Sequence, residues 1–371
     1  MFLIERLSAL VVYCLILLVV CLLIERKKSN YKIILFVYTI VLAVMGFFYV
    51  PYKTADLYRI YEYLDVWEHY SWDYFFHNRL NGNILEIDRI YYWLIAQTGE
   101  HRLLPAITAF ICYSCVFYII CRTAKIYEIS RVNIAIAVFF FMSTGSYMGT
   151  IGGIRGLTGI SLLSLLFFRE SIEKKFRIWH ILLYVIAGFI HNFAFVLIVF
   201  RLLLPIFFKK ISAIKKILYI TLIFVWAGIV IYFTPDYIKE VVDKAEAYIT
   251  GDLYTNIWGY GIGIICLAII FYGMLNWRKE GAELRVQFKE YTAFITGCII
   301  VAVALCFEYS IYARTILEVI PFLFVPLLMI LLKNKKDKGR FRFDILILTS
   351  LLLVGVCLRG EINGLKFFVL Q

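Results

Sequence analysis

Charge is scarce in this chain. Of its 371 residues 17% are charged and 63% hydrophobic, against about 25% charged and 45–50% apolar in an average soluble domain. That ratio excludes a water-soluble domain with a polar shell. Signatures of nucleotide chemistry are missing too: there is no P-loop, and no G-x-G-x-x-G follows a strand. The nine cysteines lie within or beside apolar runs, where a thiol serves as a small core group. Cys112 and Cys115 stand at i, i+3, but no second pair completes a zinc set, so no metal centre is expected. The short alternating segments of a membrane β-barrel do not occur. No small-residue cleavage site follows the first apolar run; Ile24-Glu25-Arg26-Lys27-Lys28 does, so that run is expected to be a retained span.

Apolar runs near the length a helix needs to cross about 30 Å of hydrocarbon recur from end to end. Examples are residues 7–23, 33–50, 132–148 and 217–233. The sequence predicts an all-α, polytopic membrane protein of about twelve transmembrane helices. These fall near 7–24, 33–50, 103–121, 132–149, 154–169, 178–192, 193–208, 217–233, 259–276, 292–309, 315–332 and 344–358, in one transmembrane domain spanning 1–371.

The net charge of +12 is a topology signal and gives no reason to expect nucleic acid. Basic clusters punctuate alternate connections: Arg26/Lys27/Lys28/Lys32, Arg122/Lys125/Arg131, Arg169/Lys174/Lys175/Arg177, Lys209/Lys210/Lys215/Lys216, Arg278/Lys279/Arg285/Lys289 and a run between residues 333 and 342. The positive-inside rule assigns these to the cytoplasm and the other connections to the outside. Two outer loops are then long, at about 51–102 and 234–258, and loops of that length are usually functional. In the first, helices are expected over 57–68 and 84–95. Residues 178–208 form an apolar run too long for one upright helix and short for two. Basic flanks at both ends predict a hairpin of short limbs that turns near His191-Asn192, a break tolerated where backbone lines a cavity or is buried in protein.

Charged or polar groups at the hydrocarbon edge are costly and mark sites. Arg155 opens an apolar helix in Gly152-Gly153-Ile154-Arg155-Gly156. Its rigid guanidinium fork and the helix N-terminus both suit phosphate. The same pattern also describes a small-residue packing helix whose arginine reaches headgroups. His191 and Asn192 sit at the break; a satisfied core histidine is the plainer reading there. Arg314 lies in the outer turn Tyr309-Ser310-Ile311-Tyr312-Ala313-Arg314 beside Glu308, as a second phosphate ligand or as an interfacial arginine in a tyrosine belt. The first long loop carries Asp56 with Tyr58, and Glu86 with Asp88, Arg89 and Tyr91-Tyr92-Trp93. A carboxylate there suits a general base and the aromatic faces suit sugar rings, although any single acid could simply be solvated. Glu86-x-Asp88 is too weak a pattern for a metal.

In order along the chain, Asp56-Leu57-Tyr58, the Glu86 helix, Ile154-Arg155-Gly156-Leu157, Phe189-Ile190-His191-Asn192-Phe193-Ala194 and Tyr312-Ala313-Arg314 together resemble the EpsG-like branch of the Wzy-type polysaccharide polymerases. The resemblance covers roughly 45–330. Members commonly show Arg-Gln where this chain has Arg155-Gly156, and His-x-Ser-Ala where it has His191-Asn192-Phe193-Ala194. The resemblance implies a GT-C-like multi-pass protein of the cytoplasmic (inner) membrane with its active site facing outward. Such a protein transfers a growing O-antigen, capsule or exopolysaccharide glycan from undecaprenyl diphosphate to the next lipid-linked repeat unit. No cofactor is required, because the diphosphate already activates the donor. The partners implied are undecaprenyl-diphosphate-linked oligosaccharide, membrane lipids, and chain-length regulator and flippase proteins. On this reading Asp56, Glu86 and His191 are catalytic, while Arg155, Arg314, Tyr58, Asn192 and Arg89 bind substrate and diphosphate. The rival readings are a lipid-linked oligosaccharide flippase, which should show pseudo-symmetric halves, and a membrane O-acyltransferase, for which His180 and His191 speak.

Overall fold

The computed structural model describes residues 2–26, 28–51, 56–82, 86–144, 147–175, 177–208, 212–233, 257–306, 309–334 and 338–358. Helix makes up 86% of it, and the described residues contain no strand. The helices are α1 (Phe2–Glu25), α2 (Tyr31–Phe47), α3 (Asp56–Trp67), α4 (Trp72–Asn78), α5 (Ile87–Ala96), α6 (Leu103–Ile126), α7 (Arg131–Thr144), α8 (Tyr147–Gly152), α9 (Ile154–Ser171), α10 (Ile178–Ile190), α11 (Asn192–Phe208), α12 (Ala213–Phe233), α13 (Ile257–Trp277), α14 (Ala282–Gln287), α15 (Lys289–Ala304), α16 (Tyr309–Ala313), a π-helical stretch (Arg314–Val319), α17 (Ile320–Asn334) and α18 (Lys338–Leu358).

The predicted segments overlap helices, with 132–149 divided between α7 and α8 and 178–192 ending past the break at His191. Among the described residues three helices are long and apolar enough to cross a membrane: Leu103–Ile126, Gly259–Trp277 and Ile311–Asn334. Several shorter apolar helices accompany them, including Tyr31–Phe47 and Ile178–Ile190. The second long outer loop falls at 234–256 outside the described residues, and Glu308 lies outside them as well.

The core is built around α17. Every residue from Ile320 to Leu332 is buried, which its sequence requires: a helix apolar all round has no polar face to offer water. It touches α6, α7, α9, α13, α15 and α18. The helix enters through the π-helical turn, and Pro321 explains the widening. A proline ring clashes with the carbonyl four residues back and donates no N–H, so the Ile320 N–H bonds the Thr315 carbonyl instead. Such single π-turns recur at functional sites.

Outer helices leave large apolar side chains uncovered. On α12, Ile217, Leu218, Phe224 and Val225 are exposed; on α2, Ile33, Phe36 and Val37 are. In water such faces would be a liability, whereas in hydrocarbon they are the expected surface. Some of the polar groups inside bond backbone carbonyls. The Tyr13 hydroxyl donates to the Met142 carbonyl at 2.8 Å, and the Thr39 and Thr158 hydroxyls bond carbonyls one turn back.

The loop between α2 and α6 folds as three helices, one more than the sequence predicts. Leu57, Leu64, Trp67, Phe75, Tyr92 and Ile95 form its interior. Ser71 caps α4 by accepting from the Tyr74 N–H. Through α3 this unit reaches α8, and through α5 it reaches α6 and α10. It therefore sits over the end of the bundle where α9 begins.

Candidate functional site

Three chain segments converge at the start of α9. Gly153 is its N-cap, with no side-chain hydrogen bond at that cap. An added Cβ on Gly152 would meet nothing within 4 Å, so the approach to the helix end is open. Arg155, the second residue of the helix, projects there. Its Nη1 donates to Asp88 Oδ2 at 3.0 Å. Asp88 lies in the first turn of α5, where the helix N-terminus favours negative charge. The Asp88 side chain is 16% exposed and the Arg155 side chain 56%. One edge of the guanidinium is thus held while the rest faces open space.

Tyr92, one turn after Asp88 on α5, is buried. Burial drives its hydroxyl pKa well above the usual phenol value, and the neighbouring Arg155 charge only partly opposes this. The charge of Asp56, at the N-terminus of α3, acts on both Arg155 and Tyr92. Asp56 is itself paired with Arg59 and largely exposed. Tyr58 is half-buried on the same helix.

His191 reaches the site from below. It stands alone in extended conformation (φ −153°, ψ 128°) between α10 and α11, the break expected from the sequence. Its Nδ1 accepts from the Phe193 N–H at 3.2 Å, so a neutral ring carries its proton on Nε2. That nitrogen lies over Gly156: a Cβ built there would be 3.6 Å from it. His191 thus lies against the residue that follows Arg155 on α9. Asn192 begins α11 directly after the break.

Glu86 and Arg89 face a different way. They pair with each other at 2.8 Å, and Arg89 Nη1 donates to the Arg79 carbonyl at 2.8 Å. Partial burial raises the Glu86 pKa above the usual carboxylate value, with Arg89 pulling it down and Asp88 adding to the rise. This pair fastens α5 to α4.

Arg314 is exposed at the head of the π-helical stretch, which packs against α9. Among the described residues it forms no ion pair. Its approach is fixed by tyrosines. Tyr312 donates to the Tyr260 carbonyl at 3.3 Å, and Tyr260 to the Cys306 carbonyl at 2.8 Å. Gly259 and Gly263 on α13 allow this, since a Cβ on either would overlap Tyr309 or Tyr312. One turn deeper, Glu318 is half-buried, and its charge acts on Cys112 of α6.

Sequence reasoning singled out Arg155, His191 and Asp56, which the structure sets around the start of α9, and also Glu86 and Arg89, which it pairs with each other facing α4. It overlooked Asp88 as the partner of Arg155, Tyr92 beneath them, and Glu318. Asp88 stands two residues from Glu86 and one from Arg89, and only the direction each faces separates their roles. Glu318 carried a legible signal, an acid inside an apolar span. Among the described residues no cluster of three His, Cys, Asp or Glu side chains could hold a metal.

One family model, described as the EpsG family, matches residues 61–364 of the chain. No curated protein and no solved structure matches it.

Proposed function

Because the chain belongs to the EpsG family, we propose that it is a membrane-embedded polysaccharide polymerase that uses polyprenyl-diphosphate-linked donors at the outer face of the cytoplasmic membrane. The observation that carries the reading is the half-open Arg155–Asp88 pair at the N-terminus of α9. Arg155 and the basic end of the same helix at Arg169 are 14 residues apart, roughly 21 Å along the axis. With the Arg169 end cytoplasmic, that distance puts Arg155 in the outer half of a hydrocarbon core about 30 Å thick, on the side that the α3–α5 unit covers. All twelve apolar segments cross in this reading.

The chemistry follows from the groups present. The free edge of Arg155 grips the diphosphate of the donor, and Arg314 approaches from the π-helical turn. A fixed cation facing a departing diphosphate stabilises charge where it develops. The acceptor hydroxyl attacks the anomeric carbon; the bond from that carbon to the phosphate oxygen breaks, and the electron pair leaves with undecaprenyl diphosphate. The hydroxyl proton goes to a carboxylate. The sequence suggested Asp56 or Glu86 for that role, and the ion pair favours Asp88 with Asp56 behind it. Once the phosphate competes for Arg155, the Asp88 carboxylate is freed to accept the proton. His191 Nε2 donates to the phosphate or orients the acceptor sugar.

The test is purified protein with lipid-linked repeat units and no nucleotide sugar. A ladder of longer glycans is expected, lost in Arg155→Ala and Arg314→Ala although both variants insert in the membrane. Normal ladders from both would overturn the site assignment.

A further inference from the structure

We propose that Arg122 and Arg169, held around the buried Glu173 carboxylate where α6 and α9 end, form a binding site for the headgroup of one anionic phospholipid of the cytoplasmic leaflet. The site lies beyond the polymerase reading and uses none of its residues.

Its centre is a carboxylate. Glu173 stands two residues past the end of α9. The Glu173 N–H bonds the Phe168 carbonyl at 3.3 Å, and the Lys175 N–H bonds the Arg169 carbonyl at 2.9 Å. Lys174 supplies the left-handed residue of this helix-ending turn, at φ 56°. The turn folds Glu173 back on the bundle, where its side chain is 1% exposed. A charge so buried requires partners. Arg122 Nε donates to Glu173 Oε1. Arg169 Nε stands 3.6 Å from Oε2, and the Tyr118 hydroxyl donates to Oε2 at 3.4 Å. Two permanent positive charges thus face one negative charge, which leaves the cluster one charge positive.

Both guanidiniums meet the carboxylate through Nε, which leaves the terminal nitrogens of each fork outside the pairing. The two side chains are 29% and 28% exposed, and among the described residues those nitrogens make no hydrogen bond. A fork fixed at its base with its tips open suits the oxygens of a phosphate. Lys174, Lys175 and Arg177 nearby are exposed and form no ion pair among the described residues, so they add charge without a fixed geometry.

Depth and surroundings select the ligand. Arg122 is 19 residues beyond Leu103 on α6, roughly 28 Å along the axis, close to the thickness of the hydrocarbon core. With these clusters cytoplasmic, the forks lie at the level of the inner headgroups. Towards the bilayer centre, Arg122 shares its stripe of α6 with half-buried Ser114 and exposed Tyr118, and Arg169 shares its stripe of α9 with half-buried Leu162 and Leu165. The two helices pack together, so an acyl chain finds a seam continuous with the cations. A soluble anion has no use for that seam, and a zwitterionic lipid carries a cation of its own. The single excess positive charge matches a phosphodiester of net charge −1. Basic pockets between spans on the cytoplasmic side bind anionic headgroups in this way.

The experiment uses the full chain in phosphatidylcholine mixed micelles, with phosphatidylglycerol as the probe and native mass spectrometry to count the lipid retained. One phosphatidylglycerol is expected to bind in preference to phosphatidylcholine. Arg169→Gln leaves Arg122 and Glu173 balanced and should weaken that binding about fivefold, the worth of one cation at a membrane surface. Glu173→Gln keeps the hydrogen-bonding shape, removes the opposing charge and should tighten it about fivefold. A cluster that only clasps α6 to α9 would give no such gain. Lys215→Gln with Lys216→Gln removes two exposed charges at the start of α12 and should leave the preference unchanged. Unfolding temperatures show which variants fold, and either of the first two decides alone. Unaltered binding in Arg169→Gln, no gain in Glu173→Gln, or an equal loss in the lysine variant overturns the site. Displacement of the lipid by millimolar inorganic phosphate would assign the forks to a soluble anion and overturn it as well.

Discussion

Two glycines three residues apart on α9 should respond in opposite ways to the same added methyl group. At Gly159 a Cβ would sit 2.9 Å from the Ala187 carbonyl oxygen, 3.4 Å from His191 Cβ and 3.5 Å from Ala194 Cβ. A carbon and a carbonyl oxygen settle near 3.3–3.6 Å, so α9 and α10 must separate by roughly 0.4 Å or more. The obstacle is helix backbone, which cannot rotate aside. Overpacking of this kind costs about 1–3 kcal/mol. At Gly156 the Cβ meets only the His191 ring, at 3.6 Å from Nε2, an ordinary contact. Replacing glycine by alanine in a helix also contributes about 1 kcal/mol of propensity. That gain is shared by both variants and cancels when they are compared. Gly159→Ala should therefore be about 1–3 kcal/mol less stable than Gly156→Ala, read as a lower unfolding temperature in detergent. Gly156→Ala should be at least as stable as the wild type, by up to about 1 kcal/mol of propensity, and yet slow ladder formation, because the methyl group occupies the space in front of Nε2. Equal unfolding temperatures, or a less stable Gly156→Ala, would refute the packing argument. Undiminished turnover in Gly156→Ala would remove His191 from the mechanism.

Other outcomes follow from groups elsewhere. Arg201 and Glu170 pair deep between α11 and α9, at 2.6 Å and 3.0 Å to one oxygen and with 14% and 7% of their side chains exposed. Glu170→Ala should cost about 3–5 kcal/mol by stranding the guanidinium, whereas Glu170→Leu with Arg201→Met should recover most of it; unfolding temperatures of the three proteins decide. Gly263→Ala should displace Tyr312, which lies 2.5 Å from the added carbon, and lower turnover through Arg314 more than donor-independent stability, as ladder intensity against unfolding temperature will show. Glu86 has a raised pKa because of partial burial, so the folded state holds its proton to higher pH than the unfolded chain does. Its ionisation withdraws stability as pH rises from the ordinary carboxylate value through the raised one. Glu86→Gln should flatten that slope in unfolding scans across the acid range, and an unchanged slope would count against it.

Much of this was legible along the chain. The break at His191 could be read because a mainly apolar stretch of 31 residues between basic flanks leaves no other way to return to the same side. Arg155 stood out because a permanent charge at the head of an apolar helix needs a reason. The role of Asp88 could not be read. In a solvated loop, Asp56, Glu86 and Asp88 look alike, and Asp88 is 67 residues from its partner. Helix α4 was hidden for a related reason: its seven residues are too short to show a period, and an aromatic cluster shared with α3 and α5 holds it in place.

The sequence by itself determined that the chain is helical, where its apolar segments run, and that its cations gather at alternate connections. These are local consequences of transfer free energy and hydrogen-bond satisfaction in a solvent without water. Only the tertiary structure decided which carboxylate faces Arg155, that His191 lies over Gly156, and that Glu86 serves as a fastening. Those relations depend on which face each helix turns to its neighbour, and that is set by close packing between segments far apart in the chain.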